Sequence, residues 1–202
     1  MENRKNCNKL LFNTEEKMKK INILISRNFT IEPFLDEIEE KLSHKFLKPN
    51  FLISGYENSV NEFLNPKSKF YKFKPDLILV FLNIDPYFIN QKNKKNNKEL
   101  KINCREIKEN ILSIISNINK NYPIDIGICN FSNSLIKKNN KIKDTLNIFI
   151  NKLCTKQANC HLLNIEEVLT KIDFISSVKF LSTASGLIID KVCSIIFFRI
   201  SF

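Results

Sequence analysis

Two short stretches carry the polar groups best placed to do chemistry. Ser26-Arg27-Asn28-Phe29-Thr30 follows an apolar run that begins at Ile21, and Asn83-Ile84-Asp85-Pro86 follows another that spans residues 76–82. In an open α/β sheet, turns at the carboxyl ends of strands are where ligands bind. The Asp85 carboxylate can act there as a base or hold a cation, and Asp85-Pro86 reads equally as the start of a turn. Ser26, Asn28, Thr30 and Asn83 offer hydrogen bonds to a ligand, although Thr30 is explained equally well as a helix cap. Neither turn carries a serine, cysteine or histidine placed as a nucleophile or base. The sequence thus locates a site more readily than it names a reaction.

Other groupings are weaker. The stretch from Cys154 to Cys160-His161 holds three potential metal ligands, but the cysteines are too far apart for a zinc knuckle and no second ligand pair follows. Gly55, Gly127 and Gly186 stand far apart, so there is no glycine-rich phosphate loop. His44, beside Lys45, reads as a surface residue. No cofactor is expected.

The formal charge of +11 comes from 32 basic against 21 acidic side chains, and only Arg4, Arg27, Arg105 and Arg199 are arginines. Abundant lysine, asparagine and isoleucine is the bias an AT-rich coding sequence imposes. The lysine excess lies in the amino-terminal arm and in residues 92–101 and 137–143, which read as solvated connectors rather than a nucleic-acid face. Six cysteines without a CxxC, and a first segment lacking an apolar core, predict a reduced, cytoplasmic protein. Residues 187–202 are apolar but interrupted by Asp190, Lys191 and Arg199, which predicts a core helix and no membrane span.

These turns need a frame, and the apolar patterning supplies one. Residues 1–19 form a polar, basic arm, and 20–202 one α/β domain. Strands are predicted at 21–26, 51–54, 76–82, 124–129 and 161–165. Helices are predicted from Thr30 until Pro49 stops the first, then at 59–64, 102–119, 142–155, 166–172 and 182–198. Strands that alternate with helices imply a parallel sheet with right-handed crossovers. In the order 2-1-3-4-5, the turns after the first and third strands meet at the switch point.

Within this frame, residues 20–198 resemble the amino-terminal domain of FkbH-type proteins, subfamily III-C of the haloacid-dehalogenase-like proteins. The resemblance rests on the first strand with Ser26–Thr30, on Asn61-Glu-Phe-Leu-Asn-Pro-Lys-Ser68, and on Phe70-Tyr71-Lys-Phe-Lys-Pro-Asp76. Asn130-Phe131 and Leu181-Ser182 are weaker matches. That domain is similar to SGNH hydrolases, whose turn Gly-Asp-Ser-Leu-Thr supplies the nucleophilic serine. Laid on Ser26–Thr30, it puts Asn28 at the serine. The acid and base of the later hydrolase motif, aligned on Gly186, fall on Val178 and Leu181, with Asp173 nearby as a poorly placed acid. An amide is no nucleophile and neither aliphatic side chain moves a proton, so hydrolysis through a serine is not expected.

FkbH-type proteins continue into a phosphatase-like domain with an Asp-x-Asp-x-Thr strand, which takes glyceryl phosphate and loads its acyl group on a carrier-protein thiol. The sequence ends at Phe202, about where that strand begins, so the resemblance implies a phosphatase-like half encoded separately or lost. It implies a catalytically degenerate SGNH-like domain that binds an acyl-carrier-protein or glycan-pathway ligand, with Ser26, Asn28, Thr30, Asn61, Ser68, Asn83 and Asp85 around the site. The implied partners are an acyl carrier protein and the phosphatase-like domain; nucleic acid and membrane are not expected. An atypical esterase or acyltransferase that uses Asp85, and a remnant of a split gene, remain alternatives.

Overall fold

The computed structural model describes residues 18–55, 59–65, 67–83, 97–121, 124–131 and 140–164. Five parallel strands form one sheet in the order β2-β1-β3-β4-β5, as the patterning predicts. They are β1 (Lys19–Arg27), β2 (Leu47–Ile53), β3 (Leu77–Phe81), β4 (Asp125–Cys129) and β5 (Cys160–Leu163). The helices are α1 (Glu32–Ser43), α2 (Ser59–Leu64), α3 (Lys69–Phe73), α4 (Asn97–Asn121) and α5 (Asn140–Lys156).

The central strands are apolar on both sides because both sides are covered. Ile21, Ile23, Ile25, Leu77 and Leu79 pack with Ile31, Ile38 and Leu42 of the α1 region. Leu24, Ile78, Val80, Ile126 and Ile128 face the other way, against Phe63, Phe70 and the isoleucine stripe of α4, Ile107 to Ile118. Gly127 sits where Leu79 and Leu163 meet. A Cβ there would lie 2.9 Å from Leu79 Cδ2 and 3.0 Å from Leu163 Cδ1. Both are methyl ends of flexible side chains, so Gly127→Ala is expected to destabilise by about 1 kcal/mol, the low end of overpacking, read as a lowered denaturant midpoint.

Several elements differ from the sequence expectation. Thr30 is not the N-cap: Ile31 holds that position without a side-chain cap, and the Glu32 carboxylate accepts the Ile31 N–H at 3.0 Å. Pro33, with no N–H, removes one donor that would otherwise need a cap. Pro49 does not stop α1, which ends at Ser43, but lies inside β2, which begins at Leu47, four residues before its expected start. β2 pairs only with β1, and an edge strand tolerates a proline whose missing donor faces away from the ladder. α3, five residues long, is too short to show a helical period.

Residues 1–17, 84–96, 132–139 and 165–202 lie outside the described residues. Most of the expected arm, residues 92–96 of the first connector and 137–139 of the second, Asp85, the 166–172 piece, the last helix, Asp173, Val178, Leu181 and Gly186 fall there. The remainder of each expected connector is helical, 97–101 opening α4 and 140–143 opening α5, with Lys143 buried rather than solvated. Among the described residues, no helix is long and apolar enough to cross a membrane.

Candidate functional site

The carboxyl ends of β1 and β3 are joined through Asn28. Its backbone N–H donates to Phe81 O at 3.3 Å. Its side-chain amide then reads the backbone of Asn83 in both directions: Nδ2 donates to Asn83 O at 2.8 Å, and Oδ1 accepts from Asn83 N at 2.6 Å. The amide therefore takes the place of two ladder hydrogen bonds just beyond the paired strands. The residue types of this turn serve as a brace, and Asn28 has the geometry for that role without reference to a ligand.

Arg27, on the opposite face of β1, ties three elements together. Its backbone N–H donates to Ser54 Oγ at 3.0 Å and its Nε to Ser54 O at 3.4 Å, at the end of β2. Nη1 donates to Phe29 O at 3.4 Å and to Glu32 Oε2 at 2.5 Å, at the start of α1. Arg27 is buried, 8% exposed, so its charge needs that carboxylate. The Glu32 carboxyl is held below its ordinary range, first by its own backbone N–H, then, against some desolvation, by Arg27 and the Ile31 N–H. A depressed folded pKa makes the contribution full above the unfolded carboxylate range and lost as pH falls through the folded value. Glu32→Gln is accordingly expected to lower stability at neutral pH and to flatten its fall toward acid, which chemical denaturation across pH measures.

Ser26 lies one step earlier on β1, facing α2 and α4. It is 0% exposed, and its Oγ has no hydrogen-bond partner among the described residues. Ser68 Oγ is likewise buried and unpartnered. Ser68 precedes α3, whose far end meets Asn22 through Phe73 O and Lys74 O, toward the amino edge. Asn61 is exposed on α2, where its carbonyl accepts Asn65 N–H. Thr30 is exposed beside the Arg27 cluster. Thus Asn28 and Asn83 are brought into contact, Ser26 and Thr30 flank them, and no hydrogen bond joins Asn61 or Ser68 to them.

Two further asparagine clamps were not anticipated. Past β4, the Asn130 N–H donates to Leu163 O at 3.1 Å and its Nδ2 to Asn164 Oδ1 at 2.7 Å. Asn147 of α5 holds both backbone groups of Phe131, at 2.8 and 3.0 Å. The sequence signal was available in Asn130-Phe131. The remote partners Asn147 and Asn164 become visible only once α5 and β5 are docked.

The Cys154–His161 grouping does not converge. His161 Nε2 lies 2.9 Å from Asp125 Oδ1, and Cys160 points inward toward Gln157 Oε1. Burial pushes the Cys154 thiol up to about 11; burial, then the nearby Cys154 and Asp125, pushes Cys160 up to about 12. Among the described residues, no three such side chains group to hold a metal. The apolar dent between Leu24, Phe63, Phe70, Tyr71 and Ile118 is of water size and too small for a substrate.

Fold and braced carboxyl edge together define an α/β domain of the doubly wound class, with its switch point between β1 and β3. The chain is similar in structure to the amino-terminal part of the protein BF1531 from Bacteroides fragilis, a crystal structure containing a phosphatase domain and complexed with Mg. The TM-score is 0.68 at 13% identity, over 90% of this chain and 54% of that one. The chain thus spans about half the length of that structure, and the likeness is one of fold. No protein-family profile matches the chain, and neither does any curated protein sequence.

Proposed function

We propose that the chain is a catalytically degenerate SGNH-like domain of an FkbH-like protein. It binds an acyl-carrier-protein or glycan-pathway ligand at the carboxyl ends of β1 and β3, beside a phosphatase-like domain. The observation that carries this reading is Asn28: the residue aligned with the hydrolase serine is an amide whose two polar atoms hold the Asn83 backbone. An amide so engaged neither attacks an ester nor leaves room for a serine-type step. The fold likeness to a protein that contains a phosphatase domain supports the reading at the level of architecture. Ser26, with a buried unpartnered hydroxyl beside the switch point, is the group best placed to turn toward a bound ligand.

The test is a titration of the isotope-labelled chain with an acyl-phosphopantetheine, which presents the carrier arm alone. Amide shifts are expected to concentrate at Ser26, Asn28, Thr30 and Asn83. Shifts scattered over the surface, or confined to the amino edge of the sheet, would sink the reading.

A further inference from the structure

We propose that the amino edge of the sheet, at the opposite end from the braced turns, is a docking surface for an acidic protein face. Four lysines distant in sequence converge there. Lys20 and Lys48 are register partners on β1 and β2, so their Cα atoms lie about 5 Å apart on one face of the sheet. The next pair on that face, Asn22 and Asn50, is joined by a 2.9 Å hydrogen bond. Asn22 Nδ2 also donates to Phe73 O at 3.2 Å and Lys74 O at 3.3 Å, which draws Lys72 and Lys74 alongside. All four lysines are exposed, and none makes an ion pair with a described residue. Asp76 is the acidic residue in this group, and its Oδ2 accepts the Asn22 N–H at 2.8 Å.

The fold has no use for this arrangement. Like charges directly opposite on neighbouring strands oppose pairing. The two non-glycine residues with positive φ among those described, Phe46 at 58° and Lys74 at 51°, both lie at this edge. Each keeps a large side chain where glycine or asparagine would sit with less strain. Phe46 is 61% exposed and is fixed through its carbonyl to the N–H of Lys19 at 2.9 Å.

An exposed phenylalanine on the same edge as four lysines unpaired among the described residues matches an apolar contact rimmed by carboxylates, the anatomy of a protein interface. Nucleic acid fits less well, because phosphate and base readout favours arginine forks. Of the described arginines, Arg27 is buried with Glu32 and Arg105 pairs with Glu109. The occupant is therefore an amphipathic acidic helix or an equivalent protein face. This surface stands independently of the reading at the carboxyl ends.

The probe is an amphipathic helical peptide with glutamates along one face and a leucine among them, titrated by fluorescence anisotropy against the full chain at low salt. A glutamine-for-glutamate peptide, a mixed-sequence single-stranded oligonucleotide, and vesicles of phosphatidylcholine with phosphatidylserine run in parallel. Binding of the acidic peptide is expected to weaken about tenfold in Lys20→Glu/Lys48→Glu. In Lys101→Glu/Lys152→Glu, the same charge change at exposed lysines of α4 and α5, it is expected to stay within about twofold. Lys48→Glu alone makes the cross-strand pair attractive, so its denaturant midpoint should rise while peptide binding falls, which separates lost docking from lost folding. Equal binding of the glutamine peptide, equal weakening by the two double variants, or tighter capture of the oligonucleotide or vesicles through Lys20 and Lys48 would each overturn the proposal.

Discussion

Phe63→Ala is expected to lower the unfolding free energy by about 3–5 kcal/mol, the range for a large aromatic removed from a packed core. Phe63 is 2% exposed, and its ring centroid lies 4.9 Å from that of Phe70 at a 58° tilt. Its carbonyl also accepts the Tyr71 hydroxyl at 2.5 Å. α2 and α3 are too short to be stable helices alone, and this aromatic pair pins both against Leu24 and Ile78. Since whole domains are stable by about 5–15 kcal/mol, the loss is a large share of the total. Urea denaturation followed by circular dichroism measures it. A loss below about 1 kcal/mol would mean that α2 and α3 do not anchor the sheet.

Asn28→Ser, which places there the residue that the proposed SGNH alignment has at this position, is expected to weaken the chain and give it no esterase activity. A serine side chain is too short to meet both backbone groups of Asn83, so a partly buried donor and acceptor lose their partner. The expected destabilisation is about 2 kcal/mol, with no gain in turnover of p-nitrophenyl acetate over a buffer blank. Asn28→Asp keeps an acceptor for the Asn83 N–H but sets a second carboxylate oxygen against Asn83 O, where the amide donated, so it too should be destabilised. Equal stability of all three chains would show that the amide does not brace the turn.

The strands were legible because burial on both faces writes continuous apolar runs, and their alternation with helical stripes implied a parallel sheet; the order β2-β1-β3-β4-β5 is the common flavodoxin-like one and is not written in that alternation. Pro49 misled because a proline reads as a breaker until the strand holding it is known to lie at an edge. The meeting of Asn28 and Asn83 followed from topology, but what they do to each other did not. Asparagine abundance reads as coding bias, whereas Asn28 and Asn147 hold backbone beyond a strand end and Asn130 holds the Asn164 side chain. Their partners are 55, 16 and 34 residues away, a separation that no local pattern reports. The lysines show the same limit. Those conspicuous in sequence sit in runs, while Lys20, Lys48, Lys72 and Lys74 are single residues gathered by strand register and by Asn22.

The structure accounts by packing for much of the segment from Asn61 to Asp76, two of the stretches on which the resemblance rests. Phe63, Phe70 and Tyr71 fix α2 to α3, and Asp76 closes on the Asn22 N–H. Its residue order follows from holding two short helices over β1 and β3. Glu62 and Ser68 each retain a buried oxygen without a hydrogen-bond partner among the described residues, although Glu62 Oε1 lies 3.6 Å from Lys69 Nζ.

In the proposed reading, Asn28 stands at the nucleophile position of an SGNH-like frame as a bracing amide. Intact-mass spectrometry of the chain after treatment with a serine-directed fluorophosphonate tests it most directly. The account predicts an unmodified mass with the natural Asn28 and with Asn28→Ser alike; stoichiometric addition to one serine of the natural chain would contradict it.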